Sequence, residues 1–157
     1  MKQEEITKIV NKVYPLICAD NNSMALVEFH YNIYERLSGE KGMTGEVCAE
    51  AEYDWEKCKI YLYTSRLHTI QSVIRALIHE CVHSTQSKVI FDQYYKEGFT
   101  YDTHPYEIQA RNAEEINESA KKIWANEVEP IREDILGNAI AECVKLDEER
   151  GVEPNLD

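Results

Sequence analysis

Two histidines four residues apart, with a glutamate beside the first, are the residues of this chain best arranged for chemistry: His79-Glu80-Cys81-Val82-His83. On a helix, positions i and i+4 lie on one face about a turn apart, so both imidazoles can reach one metal ion. Glu80 sits next to them, where a carboxylate can take a proton from a water activated by that metal. The pattern points to a zinc-dependent hydrolase. The plain alternative is a pair of partly exposed helix histidines with no metal.

The flanking residues argue for the helix. Ile70, Val73, Ile74, Leu77, Ile78, Cys81 and Val82 recur at the spacing of a helix packed along one side, and neither Gly nor Pro occurs from Leu67 to Gln86. His79 and His83 flank that stripe on a face shared with Ser72, Ala76 and Gln86. The small Ser72 and Ala76 leave room for another element to approach the imidazoles. Cys81 lies on the apolar stripe and turns toward the core.

Two histidines do not complete a catalytic zinc site, which usually has three protein ligands and leaves a fourth position to water. The downstream candidates are His104, Glu107, Glu114 and Glu115. Glu107 falls in the first turn of a helix expected to start at His104-Pro105, where Pro is favoured and a carboxylate is stabilised by the helix dipole. It is the better third ligand. His104 is the rival, or else a group that orients a ligand or faces the substrate, and a solvated first-turn acid is the ordinary role for a lone glutamate there. Negative charge developing on a tetrahedral intermediate calls for a further donor. Tyr94, Tyr95, Tyr101, Tyr106 and His104 lie in or beside the segment before Glu107, with Tyr101 and His104 the preferred donors. Ordinary packing is the alternative for each tyrosine.

The 157 residues are expected to form one domain, 1–157, with a single core. A hydrophobic fraction of 43% is ordinary for a soluble globular chain, and no run approaches the roughly 20 apolar residues of a membrane span. The opening MKQEEITKIV has no apolar core of signal-peptide type. A net charge of -12, from 17 basic and 29 acidic residues, opposes a role on nucleic acid phosphates. Cys18, Cys48, Cys58, Cys81 and Cys143 form no C-x-x-C pair, and this odd, dispersed set fits the reducing cytoplasm. One bridge, Cys48 to Cys58 across a hairpin, stays open.

Several elements must position the site. Ile6, Ile9, Val10, Val13 and Ile17 space as a first helix, with Pro15 a late kink or end signal. Asn21, Asn22 and Ser23 are turn formers, and a second helix is expected to carry Val27, Tyr31, Tyr34 and Leu37 and to end before Gly39. Lys41 to Gly45 reads as a turn. Val47 to Tyr53 and Lys59 to Tyr63 read as strands of a hairpin joined near Asp54-Trp55-Glu56. The second strand leads to the motif helix, which Ser65 or Thr69 would cap. Ser87 to Thr103 reads as a loop with at most a short helical turn, too aromatic to be disordered. A helix follows from His104-Pro105 through Ala110, Ala113, Ile116, Ala120 and Ile123. Pro130 ends it, Ile131 to Leu146 forms a last helix, and Gly151 to Asp157 a frayed tail.

His79-Glu-Cys-Val-His83, followed by Tyr101-Asp-Thr-His104-Pro-Tyr-Glu107-Ile-Gln-Ala110-Arg111, resembles the zincin-like metallopeptidases, particularly the gluzincin group and its small bacterial and phage members. The resemblance spans about Val47 to Ile123. It implies His79 and His83 as paired zinc ligands, Glu80 as general base, Glu107 as third ligand and Ala110 as the small residue that lets two helices approach. Arg111 departs from the pattern, since many gluzincins have Asp there to support a motif histidine; Glu114, a turn beyond Ala110, is the substitute. The resemblance also implies an edge strand, here Lys59 to Thr64, lying antiparallel to an extended peptide or protein substrate. The fold expected is α+β: a small antiparallel sheet packed on the active-site helix and surrounded by the other helices. Two strands make a marginal sheet, so a third is expected near Met43-Thr44 or within Lys88 to Phe91. The competing function is a non-catalytic zincin-like binding or regulatory protein of a phage or mobile element.

Overall fold

A computed structural model describes residues 1–38, 49–115, 135–149 and 151. The elements in order are α1 (Gln3–Asn21), β1 (Leu26–His30), α2 (Ile33–Ser38), β2 (Ala51–Asp54), β3 (Lys59–Tyr63), a 3-10 turn (Thr64–Arg66), α3 (Ile70–His83), α4 (Lys88–Lys96), α5 (Pro105–Ala113) and α6 (Ile135–Glu149). This is the expected α+β architecture, a small sheet packed against several helices including the one that bears the motif.

Helix α3 is the centre of the molecule. It packs against α1, α5, α6 and strands β2 and β3. Of its residues only Arg75 and His79 escape burial. Its apolar stripe meets Ile6, Val13 and Ile17 of α1, Ile60 and Leu62 of β3 and Ile140 of α6 in one hydrophobic cluster. Helix α1 runs past Pro15 to Asn22, which ends it in the left-handed region at φ 53° and returns its N–H to Ala19.

The sheet order is β1-β3-β2, with β1 parallel and β2 antiparallel to β3. The sheet is therefore mixed, and its third strand is β1. The expected helix through Val27, Tyr31, Tyr34 and Leu37 is corrected here. Leu26–His30 is extended, only Ile33–Ser38 is helical, and Tyr31 and Leu37 are 48% and 68% exposed. The reason is a period of two: Val27 and Phe29 pack against the core, while Glu28 binds His30 and Lys59 on the other face. The open side of β3 supplies the hydrogen-bond partners that a helix would have found within itself. β3 is accordingly the central strand and β2 borders the site, which corrects the edge-strand expectation.

The expected hairpin forms, with β3 at Lys59–Tyr63 and β2 at Ala51–Asp54, which starts later than the expected Val47. The Asp54 carboxylate accepts from the N–H groups of Glu56 and Lys57 at 2.9 and 3.0 Å, which fixes the turn and places Trp55 at its corner. Cys58 has a free thiol, and its suggested partner Cys48 lies outside the described residues. So do Met43-Thr44, the Lys41 to Gly45 turn, Val47, the continuation to Ile123, and Pro130-Ile131.

The span read as a loop contains helix α4, a second correction. Ser87 caps it by accepting from Ile90 N–H, and Lys88 pairs with Asp92 one turn on. Gly98, at φ 96°, closes it: the N–H groups of Gly98 and Phe99 return to the carbonyls of Tyr95 and Tyr94. No α4 residue is fully buried, although Phe91, Tyr94 and Tyr95 recur at the spacing of a helix face.

The start of α3 is held from two directions. Thr69 is its N-cap, accepting from Ser72 N–H at 3.1 Å. From α6, the buried Asp147 carboxylate accepts from Ile70 N–H at 2.8 Å and Gln71 N–H at 3.2 Å. Asp147 thus satisfies two donors that a helix start leaves over and places negative charge at the positive end of the dipole. Asp147→Ala strands both donors in the core and is expected to destabilise the protein by about 1–3 kcal/mol. Urea unfolding of the two proteins measures this; an unchanged midpoint would refute the role.

Candidate metal centre

His79 and His83 leave α3 on the side where α5 crosses it, with ring centroids 4.8 Å apart. Ligand atoms of His79, Glu80 and His83 lie within 4.8 Å of one another, a cluster able to hold a metal ion and consistent with a zincin-like H-E-x-x-H motif. Glu107, buried in the first turn of α5, brings one carboxylate oxygen to 3.0 Å from His79 Nε2 and 3.3 Å from His83 Nε2. Tetrahedral zinc with bonds of roughly 2.0–2.1 Å has donor atoms about 3.3 Å apart, so two imidazole nitrogens and one carboxylate oxygen match that donor set.

The far side of each imidazole is anchored. His79 Nδ1 lies 3.3 Å from the Glu114 carboxylate, and His83 Nδ1 lies 2.7 Å from Gln86 Oε1. Gln86 donates through Nε2 to the Tyr106 carbonyl and to Gln109 Oε1, both at 3.0 Å. Its oxygen therefore accepts from His83 Nδ1–H, and the tautomer follows from that network. With a proton on Nδ1, each ring turns Nε2 toward the others, the arrangement metal-ligating histidines use. Glu114, a turn beyond Ala110, is thus the carboxylate behind His79. Arg111 itself donates to the carbonyls of Tyr101 and Asp102 and stacks over the Tyr101 ring.

His104 is in a different place from the one expected for a catalytic group. It is fully buried, is the N-cap of α5, and accepts through Nδ1 from Tyr106 N–H at 3.1 Å and Glu107 N–H at 3.4 Å. Its Nε2 donates to the Phe91 carbonyl at 2.9 Å, and its ring lies among Phe91, Tyr94 and Tyr95. Both ring nitrogens are used, so this histidine supports Glu107 from below and does not face the cleft. Tyr101 does line the cleft, together with His79, Glu80, His83 and Glu107. Tyr106 and Tyr94 pack edge to face, and Glu115 is exposed.

The cleft encloses about 950 Å³ between α3, strand β2 and the segment from α4 to α5. Burial pushes the Glu80 carboxyl up to about 7, against the pull of the neighbouring imidazoles. Burial also penalises an imidazolium at His79, but the carboxylates of Glu107 and Glu114 outweigh it and raise His79 to about 10. For Glu107, burial is overcome by both imidazoles, which hold it at about 2. Without metal, a proton thus occupies the space between imidazole and carboxylate.

Sequence reading placed Gln86 on the histidine face but did not show that it anchors His83. A glutamine three residues past a motif histidine is a signal only if a second helix offers its amide a partner. Trp55, whose ring lies 5.8 Å from that of His83, was seen only as a turn residue. Compared with protein-family models, curated proteins and solved structures, the chain matches none of them.

Metal uptake must displace the proton on His79. At pH 7, calorimetry in buffers of different ionisation enthalpy should find at least one proton released per metal, with affinity rising as pH rises toward about 10; zero release would contradict the protonated pair. In the metal-free protein the stabilisation from Glu107 is present above 4.5 and lost as pH falls toward 2, and that from His79 is present below 6.5 and lost as pH rises toward 10.

Proposed function

We propose that the protein is a zinc metallopeptidase of gluzincin type, with His79, His83 and Glu107 as zinc ligands and Glu80 as general base. The observation that carries this reading is the Glu107 oxygen lying against both imidazole Nε2 atoms, each ring anchored behind by Glu114 or Gln86. A zinc ion held there would supply a Lewis acid and lower the pKa of water. Glu80, buried and raised toward neutrality, is suited to accept the proton of the attacking water and return it to the leaving amine. Tyr101, held by Arg111 at the cleft, is the candidate donor to the developing oxyanion.

An extended peptide or protein is the substrate this cleft suits, and β2 is the strand to receive it. Tyr63 N–H donates to the Glu50 carbonyl, so alternate residues Glu52 and Asp54 turn their backbone groups toward β3. Ala51 and Tyr53 turn theirs outward, to an edge that no described strand pairs. β-Strand addition there would lay a peptide across the cleft. No described helix is long and apolar enough to cross a membrane. The free thiols of Cys18, Cys58, Cys81 and Cys143 support a reducing, cytoplasmic setting.

A second reading has its own observation: the Glu80 carboxylate is close enough to both histidines to join them as a fourth ligand. That would close the site and leave a structural metal in a binding or regulatory protein. One substitution separates the two. Glu80→Gln should keep near-stoichiometric zinc and lower hydrolysis of a peptide library about 100- to 10,000-fold. Loss of zinc from Glu80→Gln would favour the closed site, and unchanged hydrolysis would end the proposed mechanism.

Ligand assignment is tested by the pair Glu107→Ala and His104→Ala. The first removes one of three ligands and should strip zinc from protein purified without added metal. The second removes the cap of α5 and should lower the melting temperature while costing far less zinc affinity. Zinc titrations that reverse this order would make the site a three-histidine one.

A further inference from the structure

The wall of the cleft beside His83 is aromatic, and most of the charged side chains of the lining lie elsewhere. Trp55 at the hairpin corner and Phe91 of α4 lie 4.9 Å apart by ring centroids, and Phe91 lies 5.4 Å from His83. Tyr53 backs Trp55 edge to face at 5.0 Å, and Trp55 Nε1 donates to the Gln86 carbonyl at 3.4 Å, so the indole is held in one orientation. Lys88 spans the shelf, its ammonium 4.9 Å from the Trp55 centroid and 5.7 Å from that of Phe91. Beyond His79 the lining turns to Arg75, Glu50, Glu52 and Arg36.

These rings are not finished core. Trp55 and Phe91 are each only partly buried, both line the cleft, and α4 has no fully buried residue. Apolar surface left open inside a concave site is what a ligand side chain covers on binding, at roughly 25 cal/mol per Å². Lys88, paired with Asp92, already occupies the faces of both rings, so a second cation would meet its charge, and Asp54 and Glu56 beside Trp55 repel an acidic side chain.

We propose that Trp55, Phe91 and the aliphatic stem of Lys88 form a specificity subsite for a large neutral apolar side chain, aromatic or branched, on the substrate residue next to the scissile bond on the His83 side. This rests on the reading of the cleft as a peptide site, and it makes the substrate class peptides bearing such a residue beside the cleaved bond.

Binding tests it without catalysis. The zinc-loaded protein is titrated with four short peptide hydroxamates that differ only in carrying Phe, Leu, Gly or Asp beside the zinc-binding group. The Phe compound should bind about 10- to 100-fold tighter than the Gly compound, and the Asp compound no tighter than Gly. In Trp55→Ala the Phe-to-Gly ratio should fall toward one. Phe91→Leu, which keeps apolar bulk in case the first variant folds poorly, should lower the ratio for Phe and retain it for a Leu compound. Because the ratio is taken within each protein, a change in zinc content cancels. Equal affinities in the wild type, preference for Asp, or a ratio untouched by either substitution would overturn the subsite. If the preference holds but no peptide in a library is cleaved, the hydrolase reading fails and the subsite stands as a binding site; if none of the hydroxamates binds, both fall.

Discussion

The structure depends on burying a helix that also carries charge. Helix α3 lies among α1, α6 and the sheet with nearly all of its residues covered, yet His79, Glu80 and His83 project from its last turns. Polar groups taken out of water at that depth need partners, because an unmet buried charge costs several kcal/mol. Helix α5 and its C-cap supply them: Glu107 for both imidazoles, Glu114 behind His79, and the Tyr106 carbonyl and Gln109 to hold Gln86 behind His83. The position of α5, and with it the floor of the cleft, follows from that requirement.

Remote contacts hold the two helices in place. Asp147 reaches 77 residues back along the chain to the first N–H groups of α3. His104 holds the start of α5 and is itself held by Phe91, so the aromatic residues of α4 connect the hairpin corner at Trp55 to the turn that carries Glu107. A capped helix is held against fraying at the end that carries Glu107. Glu107 sits three residues from its cap, where small displacements of the backbone are most restrained.

Burial also acts on the carboxylates of the site. In the metal-free protein the same low-polarity surroundings that demand partners for the imidazoles raise Glu80, which has no hydrogen bond from a described side chain, to about 7. Two carboxylates therefore differ in charge by environment. Glu107 lies against both imidazoles and is held ionised, while burial favours the neutral form of Glu80.

The chemistry-bearing residues were legible because they are local. The i, i+4 spacing of His79 and His83, the apolar stripe of α3, the Thr69 cap and Pro105 at the start of α5 each depend on a few neighbouring residues, and helices encode such information at short range. The α1 stripe and the β2–β3 hairpin were read for the same reason. What tertiary structure decided was pairing at long range. Leu26–His30 carries spacing compatible with a helix and became a strand because β3 offered an open edge, which made β3 central and moved the free edge to β2. Helix α4 is nine residues long with no buried residue, and the helical spacing of Phe91, Tyr94 and Tyr95 is too short a pattern to separate it from an aromatic loop. His104 was a plausible ligand by type, and only the packing of Phe91 over it made it a cap. Residue type and spacing name the groups that can bind metal; which nitrogen faces which oxygen depends on how two helices cross, and that is settled by burial energy summed over the whole core.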